Sequence, residues 1–87
     1  MGRMNPIALT ISFVDGSEKP VTAVAADLIA FETHFDKSVT ELQKNVRLSY
    51  LFFICWHVLK RTGETSEEFE KWTETVVGVT IEDEPKK

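Results

Sequence analysis

Chemistry beyond packing would have to start from two histidines, His34 and His57, one thiol, Cys55, and the carboxylates scattered around them. Neither histidine has a carboxylate or thiol at a spacing typical of metal ligands, so both read as structural. Cys55 falls on the apolar face of a helical run, where a thiol behaves as a small hydrophobe and loses acidity. There is no glycine-rich phosphate loop and no Ser/His/Asp set, and the expectation is a protein without catalytic residues, cofactor or metal. Glu32 can pair with a basic neighbour or simply face solvent. The residues with most to offer a partner are Tyr50, Phe53, Ile54 and Trp56, because aromatic side chains dominate interface hot spots.

Those four residues lie in the stretch RLSYLFFICWHVLKR, residues 47–61, around which the chain is organised. On a helix it places Leu48, Leu51, Phe52, Cys55 and Leu59 on one face, flanked by Trp56 and Val58. The opposite side carries Tyr50, Phe53, Ile54 and His57, leaving Ser49, Lys60 and Arg61 as the wet positions. A helix apolar nearly all round has to be covered from two sides. A membrane span needs about 20 apolar residues, and this run is shorter, so the cover is protein. That protein is either the rest of this chain or another molecule: the Leu48 face packs in the core, and the Tyr50 face is either buried within the fold or meets a partner, with Tyr50, Phe53, Ile54 and Trp56 as the candidate partner-binding residues.

The other elements follow in order. Ile7, Leu9, Ile11 and Phe13 alternate with smaller residues as in a half-buried strand. Asp15-Gly16 signals a reversal, and Val21 to Val24 returns as a second strand, with Pro20 suited to an edge. A two-stranded hairpin is marginal in water, so it has to lean on helices. Leu28, Phe31 and Phe35 share a face of a first helix over Ala25–Phe35, with Asp27 near its N-terminal end. Ser38 and Glu41 form a capping box for a short second helix, and Asn45 is placed to cap the central one. That helix stops at Gly63. A second capping box, Thr65 with Glu68, opens a last helix carrying Phe69, Trp72 and Val76 on one stripe and ending at Gly78. The predicted fold class is α+β, mainly α: an N-terminal β-hairpin packed on three to four helices, with Leu28, Phe31, Leu51, Phe52, Cys55, Leu59, Phe69 and Trp72 in one core. Residues 1–6 read as a flexible leader, 7–80 as one globular domain (hairpin 7–24, helices 25–78) with room for a short extended piece over residues 79–81, and 81–87 as a flexible acidic and basic tail.

At 87 residues the chain is one domain, and 43% hydrophobic content is enough for a core. The net charge of -4 lacks the basic footprint of a nucleic-acid binder. Charge is unevenly spread: Lys37, Lys44, Arg47, Lys60 and Arg61 give a basic middle, and Glu64, Glu67, Glu68, Glu70, Glu74, Glu82, Asp83 and Glu84 an acidic end. These halves can attract within the fold or between copies, and the surplus apolar surface points to self-association. A single cysteine and no signal or transit segment imply a cytosolic setting.

The run Asp27-Leu28-Ile29-Ala30-Phe31-Glu32-Thr33-His34-Phe35 resembles the "D-hydrophobic-hydrophobic-x-F-E-x-x-F" helix of the tail assembly chaperones of long-tailed bacteriophages. Ser38-Val39, the apolar 48–59 helix closing in Lys60-Arg61-Thr62-Gly63, and Glu68-Phe69-Glu70-Lys71-Trp72 extend the likeness over about residues 21–79; the hairpin is less typical of the family. The resemblance implies a non-enzymatic factor of the host cytoplasm that keeps the tape-measure protein soluble during tail-tube assembly and is absent from the finished virion. Tyr50, Phe53, Ile54 and Trp56 would be its anchors in a helix-in-groove mode, with acidic residues of the last helix at the rim. It also implies a longer product made by ribosomal slippage near the end of the frame, with which Pro85-Lys86-Lys87 is compatible. Another class shares the same features: a small phage or bacterial adaptor or inhibitor that binds a host protein as a homo-oligomer. A head-tail connector subunit is a third.

Overall fold

The structure is a computed structural model that describes residues 7–44 and 47–81. The expected leader, the Asn45 cap and the residues after Ile81 lie outside the described residues. Strand β1 (Ile7–Phe13) is followed by β2 (Glu18–Ala23), then by helices α1 (Ala25–Phe35), α2 (Val39–Lys44), α3 (Leu48–Arg61) and α4 (Phe69–Thr73), and by β3 (Val76–Ile81).

The hairpin turns where Asp15-Gly16 places it, but its second strand runs over Glu18–Ala23 and not from Val21 to Val24, since Val24 is the N-cap of α1. Gly16 takes φ 93°, its N–H donates to the Phe13 carbonyl, and Asp15 Oδ1 accepts from the Ser17 N–H and hydroxyl. β1 and β2 then pair antiparallel from Ile7↔Ala23 to Ser12↔Glu18.

The expected two-stranded hairpin on a mainly helical bundle is corrected by β3. The sheet has three antiparallel strands in the order β2-β1-β3, so the first strand of the chain is central and the last elements of the chain complete the sheet. Leu9↔Ile81 and Ile11↔Val79 are in register, with an irregularity at Ser12/Phe13. The physical reason lies in residues 76–81, where Val, Val, Val, Thr and Ile around one glycine suit a pleated, half-buried surface better than a helix. The last helix is correspondingly short. Thr65 accepts from the Glu67 N–H in a local turn, α4 is N-capped at Glu68, and Val76, expected on its stripe, belongs to β3.

One face of the sheet, Leu9, Ile11, Val21, Ala23 and Val76, is buried with α3 and with Leu28 and Phe31 of α1. α3 ends as its sequence implies: Glu64 N–H donates to the Leu59 carbonyl and Gly63 N–H to the Lys60 carbonyl, with Gly63 at φ 78°. At the end of α1, Asp36 itself takes the left-handed conformation, φ 57°. Ser38 Oγ accepts from the Glu41 N–H at 3.2 Å, as its half of the expected capping box requires.

Candidate interaction surface

α3 is turned, relative to the orientation expected from its sequence, by roughly one residue position. Tyr50, Phe53 and Ile54, expected to face a partner, are 6%, 6% and 1% exposed. Leu48, expected in the core, is 62% exposed, and Phe52 is only half-buried. Leu51, Cys55 and Leu59 are buried as expected. The cause is cover from two sides of one molecule. The three-stranded sheet takes one flank of the helix, and α1 takes the other through rings: Phe31 and Phe35 lie 5.0 and 4.9 Å from Tyr50, Phe35 lies 5.5 Å from Phe53, and His34 stacks on Phe53 at 4.5 Å. Tyr50, Phe53 and Ile54 therefore offer no free surface to a partner in this fold. Trp56 is half-buried; its Nε1 donates to the Glu67 carbonyl at 2.9 Å, Phe69 packs against its ring, and Lys60 Nζ sits 5.5 Å from the ring centroid.

The polar centre of the molecule joins residues that the sequence analysis treated separately. Asp27, at the third helical position of α1, is completely buried. Its Oδ2 accepts from the Val24 N–H at 2.9 Å and Arg61 Nη2 at 2.8 Å; its Oδ1 accepts from Arg61 Nε at 3.0 Å and meets His57 Nδ1 at 2.7 Å. Burial acts to raise the pKa of Asp27, but the Arg61 hydrogen bonds, the Val24 N–H and His57 outweigh it and hold the carboxyl below its ordinary value. Arg61, expected to be simply wet, is thus a structural partner. A signal was present in the sequence, since Asp27 and Arg61 both stand in the motifs that carry the family resemblance, but separations of 30 and 34 residues hide the pairing. His57 and Asp27 are like an acid-base pair only in outline, because both Asp27 oxygens are occupied in holding α1 to α3. Burial pushes the Cys55 thiol up to about 12, the inert form expected of it.

Two concavities lie among the described residues. One lies between the sheet and the α3–α4 connection, lined by Phe13, Lys19, Leu59, Glu64 and Trp72 among others, and the Lys19–Glu64 ion pair of 2.6 Å spans it. The other is an open apolar groove of about 350 Å³ between α3 and α4, formed by Leu48, Ser49, Phe52, Phe69 and Thr73. This groove, not the Tyr50 side, is the exposed apolar surface of the central helix. Among the described residues no group of three or more His, Cys, Asp or Glu side chains could hold a metal ion, and no helix is long and apolar enough to cross a membrane. Compared with family models, curated proteins and solved structures, the chain matches none.

Proposed function

We propose that the chain is a non-enzymatic tail assembly chaperone of a long-tailed phage or prophage, binding the tape-measure protein in the host cytoplasm and leaving before the virion is complete. The α3–α4 groove is the observation that carries this reading beyond the sequence resemblance. Leu48, Phe52 and Phe69 provide an apolar trough with hydroxyls at Ser49 and Thr73, a surface suited to the apolar stripe of an amphipathic helix. A tape-measure protein is long and helix-rich, with such stripes exposed until the tube encloses them. The anchors are accordingly Leu48, Phe52 and Phe69, with Trp56 at the edge through its contact with Phe69. Self-association belongs to the same reading, since several copies would be needed to coat a long chain.

Co-expression with the tape-measure protein tests it. The wild-type chain should increase recovery of soluble tape-measure protein, and Leu48→Asp, at an exposed position that the fold does not use, should remove most of that gain while leaving the circular dichroism spectrum unchanged. Equal recovery with wild type, with Leu48→Asp and without the chain would overturn the proposal.

A further inference from the structure

The two walls of the α3–α4 groove differ in charge. α3 has no carboxylate in its 14 residues, and Lys60 and Arg61 give it a basic last turn. α4 is the acidic wall. At about 100° per residue from Phe69, which lines the groove, Trp72 lies about 60° to one side and Glu70 about 100° to the other. Trp72 is 3% exposed, so its side faces the core, and Glu70 stands in solvent on the outer lip. Glu74, the C-cap of α4 and still in the right-handed helical region, follows one turn later on the same side. Lys71, about 200° round from Phe69, lies on the far side of α4. Among the described residues neither Glu70 nor Glu74 has an ion-pair partner.

Shape and charge together name an occupant. Leu48 to Phe52 on one wall and Phe69 to Thr73 on the other each span one helical turn, about 6 Å. A trough of about 350 Å³ on that scale takes the apolar side chains of two successive turns of a helix, spaced i and i+3 or i+4. The carboxylates of the lip then face whatever flanks those anchors. A second copy of this chain fits poorly: α1, whose Ile29 is 56% exposed, has no Lys or Arg in its 11 residues, and the outer side of α4 would set glutamates against glutamates. We infer that the groove accepts amphipathic helices whose apolar stripe is edged on one side by Lys or Arg, and that Glu70 and Glu74 turn away helices edged by acids. The inference rests on the reading of the groove as a helix-docking site and adds the chemistry by which one helix is chosen over another. Each exposed pair contributes little, so selection comes from exchanging attraction for repulsion at several positions.

The test titrates the isotope-labelled full-length chain with two synthetic helices, about three repeats of Leu-Lys-Ala-Leu-Leu-Lys-Ala or of Leu-Glu-Ala-Leu-Leu-Glu-Ala, long enough to be helical alone. Amide shifts should centre on Leu48, Ser49, Phe52, Phe69 and Thr73. The Lys-edged helix should bind about tenfold more tightly at low salt, and the preference should fade as salt is raised. Glu70→Lys should cut the preference to less than about threefold, with Glu70→Gln in between. Glu18→Lys, the same change of net charge at an exposed position of β2, should leave it unaltered. Equal affinity for the two helices, an unchanged preference in both Glu70 variants, or an equal drop in Glu18→Lys would overturn charge selection. If Leu48→Asp still weakens both helices, the docking site itself survives that failure. Shifts confined to residues outside the groove would overturn the docking site as well. Shifts within it that grow with protein concentration before peptide is added would overturn the inference by making a second copy the occupant.

Discussion

Asp27 and Arg61 stand 34 residues apart and meet in a two-point contact, Arg61 Nε on Asp27 Oδ1 at 3.0 Å and Nη2 on Oδ2 at 2.8 Å. The contact fastens the first turn of α1 to the last turn of α3, and His57, one turn earlier on α3, closes the third side. A buried carboxylate is tolerable only because these donors and the Val24 N–H saturate it. Asp27→Asn keeps the shape but withdraws the charge and places an amide NH₂ among donors. It should cost on the order of 2–3 kcal/mol in chemical denaturation. Replacement with less than ~0.5 kcal/mol lost would show that the contact is incidental to folding.

The same carboxylate gives stability a pH dependence of known sign. Its pKa is lower in the folded chain than the ordinary 3.8, so the unfolded chain binds a proton first as acid is added. The contribution is fully present above that ordinary value and is lost as pH falls through the folded pKa. Denaturation midpoints measured from about pH 6 downward should therefore fall more steeply below about pH 4 for wild type than for Asp27→Asn. Parallel curves for the two proteins would contradict the assignment.

Packing around α3 separates core from groove by mutation. Phe53 is enclosed by His34, Phe35, Trp56 and Phe69, so Phe53→Ala should destabilise by about 3–4 kcal/mol. Leu48→Asp should leave the denaturation midpoint nearly unchanged, because that side chain is already in water. If the two effects were reversed, the helix would have the orientation expected from sequence alone.

β3 makes a similar contrast within two adjacent residues. Val76 is buried beside Phe13, whereas Val77 points outward from the sheet. Val76→Asp should lose ~3 kcal/mol or more by burying an unpaired charge, and Val77→Asp should lose under ~1 kcal/mol. Comparable losses at both would argue that the strand is not paired in this register.

The sequence alone determined the local structure, since local structure depends on near neighbours. Alternation and Asp15-Gly16 determined the hairpin, the spacing of Leu28, Phe31 and Phe35 determined α1, and Lys60-Arg61-Thr62-Gly63 determined the end of α3. Residues 76–78 read as the end of the last helix, yet they belong to the sheet, because a valine-rich run acquires its state from what it packs against. Only the tertiary structure decided this, by giving β1 a second partner from the far end of the chain. The orientation of α3 was open for a related reason. With apolar residues all round, its sequence says that two sides are covered but not which, and the sheet with α1 takes Tyr50, Phe53 and Ile54 inward and leaves Leu48 and Phe52 on the groove. The Asp27, His57 and Arg61 network was hidden in the same way: each residue is ordinary at its own helix position, and the buried charge cluster exists only where α1 and α3 bring them within hydrogen-bonding distance.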